Sequence, residues 1–160
     1  MIEHPIAPVY NENSRVLILG SFPSVRSREV GFFYGHPQNR FWPLMAALFD
    51  EKPFADIPAK RAFLLAHGIA LWDSARRCEI RGSSDASLRE IEPTDLSPLF
   101  AAAPIGQVFC NGRASFEIYR KFQEPRFGPA ILLPSTSPAN AAWSLPRLEE
   151  AWKVVREALV

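Results

Sequence analysis

The side chains able to do chemistry gather in four short stretches: "GSFPS" (residues 20–24), "GFFYGHPQNRFW" (31–42), the aspartate that closes "IALWD" (69–73), and "PSTSPAN" (134–140). Asn39 carries an amide that can orient a water or cap the helix that follows, where Pro43 is tolerated in the first turn. His36 can serve in catalysis or as a hydrogen-bonded structural residue. Asp73 can accept a hydrogen bond from a ligand or cap whatever follows its strand. Gly20 and Pro23 make either a plain turn or one whose backbone N–H groups approach a ligand closely, and "PSTSPAN" can be a turn-rich loop and nothing more. No second histidine lies near His36 to complete a metal pair, since His4 and His67 fall in the N-terminal segment and at a helix end. Cys78 and Cys110 are too few for an iron–sulfur cluster on four thiolates or a Cys-only zinc site. Both are expected to be reduced and packed, and neither a metal nor a cofactor is expected.

Such residues act only if something rigid brings them together. Four short apolar runs, "RVLILG" (15–20), "IALWD" (69–73), "QVFCN" (107–111) and "AILLP" (130–134), have the look of strands buried on both faces. Helical patterns alternate with them over residues 39–49, 58–68, 93–103, 113–122 and 145–160, the second ending on Gly68 at the expected C′ position. In the last of these, Leu145, Leu148, Trp152, Val155 and Leu159 recur at steps of three and four, while Glu149, Lys153 and Glu157 alternate in sign on the wet face. The alternation predicts an α/β fold with a parallel sheet covered on both faces, formed as one domain over residues 1–160. In open parallel sheets ligands bind beyond the carboxyl ends of the strands. The four runs end in "GSFPS", Asp73, Asn111-Gly112 and "PSTSPAN", so the polar chemistry falls on one edge of the sheet. A scaffold has no need of special residues at four strand ends at once.

Composition narrows the setting without choosing a partner. The chain has 160 residues, 48% hydrophobic and 22% charged, with a formal net charge of +1. That balance argues against a histone-like general affinity for nucleic acid, although a local basic groove fits within it. No apolar run approaches the roughly 20 residues that cross a bilayer, and "MIEHPIAPVYNENS" lacks the pattern of a secretion signal, so a cytoplasmic protein is expected.

"GSFPSVRSREVGFFYGHPQNRFW" resembles the first motif region of the uracil-DNA glycosylase superfamily. More narrowly, "GSFPS", "YGHPQNRFW" and "PSTSPAN" are similar to the DNA-deoxyinosine (hypoxanthine-DNA) glycosylase family, and the likeness runs from about residue 15 to the C-terminus. The resemblance implies a three-layer α/β/α sandwich around a four-stranded parallel sheet. It implies a monofunctional enzyme that flips a deaminated base from DNA, hypoxanthine first and uracil or xanthine after it, and hydrolyses the N-glycosidic bond to leave an abasic site. It also explains a loop full of rings, because a flipped base is held by stacking and edge hydrogen bonds.

Carried over by position, the resemblance gives Asn39 the catalytic role, orienting water and touching the cationic sugar, with His36 assisting through the same network. An amide is not basic enough to remove a proton at neutral pH. Tyr34 stacks on the base, Phe22 forms another wall, Asp73 accepts the ring N–H of hypoxanthine, and Gly20, Ser21 and Ser135 complete the base site. Ser24, Arg26, Arg28, Arg40, Ser137, Pro138, Ala139 and Asn140 are expected to face DNA, with Arg113 on the same edge; for each arginine a solvated surface is the competing reading. The loop from Thr136 to Trp143 matches the one that enters the minor groove. Three departures matter. Phe22 stands where mismatch-specific relatives carry a catalytic Asn, Ser135 where uracil enzymes carry a His, and no Lys lies in either motif to form a Schiff base. "RRCEIRGSSD" (76–85) is a further candidate flank of the groove. A nucleoside hydrolase and a non-catalytic damage reader are the alternatives; the first usually gathers carboxylates and Ca²⁺, and the second has no need of Asn39 beside His36. DNA, double- or single-stranded, is the expected partner of a monomer.

Overall fold

The computed structural model describes residues 2–79 and 89–160. Its centre is a four-stranded parallel sheet, and the strands are the four apolar runs: β2 (Val16–Gly20), β3 (Ile69–Asp73), β6 (Gln107–Asn111) and β7 (Ala130–Leu133), in the spatial order β3-β2-β6-β7. Period-two alternation divides each strand between two cores. Val16 and Ile18 of β2, Ile69 and Leu71 of β3 and Phe109 of β6 point to one side, where α2 (Phe41–Leu48), α3 (Ile57–His67) and α7 (Leu145–Glu157) cover them with Phe41, Met45, Leu64, Leu148 and Trp152. Leu17, Leu19, Ala70, Val108 and Cys110 point to the other, beneath α4 (Ser97–Ala102) and α5 (Arg113–Phe122), which contribute Leu99 and Tyr119. The result is the expected three-layer α/β/α sandwich. Phe32, Phe33, Phe41 and Trp42, rings of the stretch "GFFYGHPQNRFW", are buried in the first core.

Helix ends follow local rules. Asp56 caps α3 by accepting from Ala59 N–H at 2.8 Å, and Gly68, at φ 74°, closes it in the left-handed conformation its position predicts. Ser144 caps α7, and Ser24 caps a helix the sequence pattern did not announce, α1 (Val25–Val30), by accepting from Ser27 N–H.

The structure also adds a second sheet. β1 (Ile2–Glu3), β4 (Ala75–Glu79) and β5 (Arg89–Pro93) form an antiparallel ribbon in the order β1-β4-β5, so the segment from 93, expected to be helical throughout, becomes helix only at Ser97. The reason is composition: "ARRCE" and "REIEP" carry charges rather than an apolar stripe, with Ala75 and Cys78 buried beside Phe22 and Ile118 and Arg76 and Arg77 partly exposed. Arg76 and Arg77 meet Glu92, and Arg77 also meets Glu3; residues 80–85 of the candidate flank "RRCEIRGSSD" lie outside the described residues. A last short helix, α6 (Glu124–Phe127), precedes β7.

Candidate active site

In chain order the central strands run β2, β3, β6, β7, but β2 and β6 are neighbours, so the connections leave in opposite directions between them. A crevice opens at such a switch point. Here it is a cleft lined by the ends of β2, β3 and β6, by residues 21–24, Ser27, Phe33, Tyr34 and Asn39 of the connection after β2, and by residues 135–137 after β7.

Gly20 sets its depth. A Cβ there would stand 2.3 Å from Asp73 Oδ1 and 3.0 Å from Tyr34 Oη, so glycine alone lets the ends of β2 and β3 and the aromatic loop converge. Beyond it Ser74 N–H donates to Gly20 O and Ala75 N–H to Ser21 O, which hold the turn against β2. Tyr34 has a left-handed backbone, φ 54°, a conformation that costs a non-glycine residue on the order of 1 kcal/mol or more. It is held there from several sides. Gly35 N–H donates to the buried Ser27 Oγ at 2.8 Å, and Trp42 Nε1 donates to Phe33 O at 3.0 Å. The Tyr34 ring stacks on Phe41, centroids 4.2 Å apart and 21° from parallel, so a sealed ring backs a half-buried one.

Three amide and hydroxyl groups knit the opposite wall. Asn39 Oδ1 accepts from Phe41 N–H and from Thr136 Oγ1, both at 2.9 Å. Thr136 Oγ1 in turn accepts from Asn111 Nδ2 at 3.0 Å, and Thr136 N–H donates to Asn111 Oδ1 at 3.0 Å. A carbonyl oxygen has two lone pairs, and both of those on Asn39 are engaged. The capping and the chemical readings of Asn39 therefore meet in one side chain: its oxygen is tied to the start of α2, and Nδ2 is the polar end left for the cleft.

The structure gathers Gly20, Ser21, Phe22, Ser24, Tyr34, Asn39, Asp73, Ser135 and Ser137 around this cleft. His36 lies outside it, in a wider groove shared with Ser24, Asn39, Arg113, Pro138, Ala139 and Asn140, where its Nδ1 accepts from Gln38 N–H. Arg26, Arg28 and Arg40 line neither. Arg26 pairs with Glu29 at 3.3 Å, Arg28 sits over the Phe22 ring, and Arg40 turns into the 134–143 loop, donating to the carbonyls of Ser137, Asn140 and Trp143. The same loop is held by Asn140 Nδ2 on Ser135 O and by Arg147, stacked over Trp143 and bonded to Ala142 O. Ser135 Oγ accepts from Ser137 N–H, which leaves its own hydrogen to donate.

Sequence reasoning missed His4, Asn111 and Thr136. Asn111 had a visible signal, an amide closing a buried apolar strand; Thr136 was read with its loop, without a role of its own. His4 had none, because its partner Asp73, 2.7 Å away, is 69 positions along the chain.

A family model of the uracil DNA glycosylase superfamily matches residues 7–158. The chain belongs to the uracil DNA glycosylase superfamily. It is 34% identical over 157 residues to a hypoxanthine DNA glycosylase of Methanosarcina acetivorans, covering 97% of this chain and 98% of the relative. It is 32% identical over 147 residues to a hypoxanthine DNA glycosylase of Methanosarcina barkeri, covering 91% and 92%. A Methanosarcina acetivorans protein solved by NMR in solution and assigned to the uracil DNA glycosylases superposes with a TM-score of 0.82, at 33% identity, over 99% of each chain. Among the described residues no helix is long and apolar enough to cross a membrane, and no three His, Cys, Asp or Glu side chains are grouped to hold a metal ion.

Proposed function

We propose that this chain is a DNA N-glycosylase that removes hypoxanthine from DNA as a monomer, with uracil and xanthine as lesser substrates. The observation that carries the reading is the meeting, at one switch-point cleft, of an aromatic face (Tyr34), a buried acceptor (Asp73) and a fixed amide (Asn39). These three types match what a flipped base requires. Extraction of a paired base costs a few kcal/mol. Stacking on Tyr34 returns about 1–3 kcal/mol of it. Asp73 Oδ1, beside Gly20, accepts the N–H that hypoxanthine carries next to its carbonyl, and the Ser135 hydroxyl donates to a carbonyl of the base.

Cleavage leaves a cationic sugar and a departing base with growing negative charge. The water that attacks the sugar needs orientation more than it needs a base. Asn39 Nδ2 holds it by its oxygen, with the amide plane locked by Phe41 and Thr136. Loop 134–140 follows the strand, with Ser24, Ser137 and backbone N–H groups on phosphates and Arg113 adding positive potential. His36 stands at the mouth, where it meets the backbone beside the lesion.

Labelled duplexes holding one deoxyinosine, deoxyuridine or deoxyxanthosine, incubated with the protein and then hot alkali, test the reading. The deoxyinosine strand should break at the lesion, and Asn39→Ala should lose the rate by about 10²-fold, a loss typical of a positioned catalytic group. Binding of the lesion with no duplex cut favours the damage reader; an Asn39→Ala variant as fast as its parent leaves Asn39 only its capping role.

A further inference from the structure

Asp73 does not stand alone in the cleft wall. His4 Nε2 lies 2.7 Å from Asp73 Oδ2, with the two side chains 3% and 4% exposed. The other ring nitrogen is engaged as well, since His4 Nδ1 accepts the backbone N–H of Ile6 at 3.2 Å. An imidazole nitrogen that accepts carries no hydrogen, so the ring is the neutral Nε2–H tautomer and Nε2–H donates to the carboxylate. The ring has little room to turn. β1 registers Ile2 against Cys78 and Glu3 against Arg77, and His4 N–H donates to Arg76 O at 2.7 Å. The imidazole meets Phe22 edge-on with centroids 5.6 Å apart and leans on Phe33 at 6.0 Å, and both phenyl rings line the cleft.

We propose that His4 is a positioning residue for base selection: by fixing Oδ2 it sets the rotation of the Asp73 carboxylate and aims Oδ1 at the ring N–H of a deaminated base. The proposal rests on the base-pocket reading of the cleft. The chemistry of the two purines gives it its sense. Hypoxanthine presents N1–H beside O6, whereas adenine, its amino parent, presents a bare N1 lone pair in the same place. An acceptor held in that direction attracts the first and repels the second, and a site built to bond a substrate N–H rejects an analogue without it far more strongly than shape alone can. A carboxylate free to rotate would lose that aim. The antiparallel ribbon thereby gains a function, because β1 is the element that delivers His4 to β3.

Two measurements decide the matter. In the parent protein with ¹⁵N-labelled histidine, without DNA, the His4 ring should show hydrogen on Nε2 and none on Nδ1; an Nδ1–H or doubly protonated ring overturns the proposal whatever the substrate proves to be. In single-turnover cleavage of the deoxyinosine duplex, His4→Phe should slow the rate by about tenfold to a hundredfold, the scale of a misplaced group. His4→Gln places an amide nitrogen near the site of Nε2 and should recover the rate to within about threefold. In an Asp73→Asn background the His4→Phe change should cost less than about threefold, as expected when one residue acts through the other. A His4→Gln variant as slow as His4→Phe, or an undiminished loss in the Asp73→Asn background, overturns the proposal. A parent that releases no hypoxanthine overturns instead the function proposed above, and the ring spectrum still judges the clamp.

Discussion

Thr136 is the hinge of the Asn39 wall, since one hydroxyl donates to Asn39 and accepts from Asn111. Thr136→Val keeps the shape and deletes both bonds. Asn39 Oδ1 then keeps one donor of two, and the Asn111 amide is left buried without its acceptor, at about 1–3 kcal/mol. Single-turnover cleavage of deoxyinosine DNA should fall about tenfold, each tenfold corresponding to about 1.4 kcal/mol in the barrier. Thr136→Ser should recover most of it, and thermal melting of both variants separates loss of aim from loss of fold. Tyr34 and Asn39 were legible through the motif that carries them, and Asp73 through its place at the end of a buried strand. Their partners were not: a hydrogen bond spanning 97 positions leaves no local trace.

At the scale of elements, the four parallel strands could be read directly, because a strand buried on both faces must be apolar throughout, as the fully buried β2 is. The charged ribbon could not, since one of its strands holds Arg76 and Arg77 and gives no alternating stripe. The loop after β7 was legible as a loop but not in its anchoring. Arg40, expected on the edge that faces DNA, secures three carbonyls of that loop. Arg40→Met should therefore loosen the loop. Charge-assisted hydrogen bonds contribute about 1.5–3 kcal/mol each, so affinity for a duplex with an abasic site should fall by about tenfold or more. The rate at saturating enzyme should change less, and fluorescence anisotropy beside single-turnover kinetics reads the two effects apart.

For the whole molecule, the second core carries a pH signature. Burial pushes the Cys110 thiol up to about 12, from an ordinary value of 9.0, and burial likewise raises the Tyr119 phenol. Both groups are held neutral in the fold and ionise more readily in the unfolded chain. Their contribution is then fully present below about pH 9 and is lost as the pH rises toward the folded values. The melting temperature followed by circular dichroism should hold through neutral pH and fall steadily above it, with a shallower fall in Cys110→Ala.

The cleft is assembled from positions 4, 20, 39, 73, 111 and 136, joined by bonds that span 69, 97 and 25 residues. Folds dominated by contacts so distant in sequence form slowly. The cleft is complete only once segments from both halves of the chain have met. A chain still emerging has no complete cleft until residues 135–137 have met the ends of the strands.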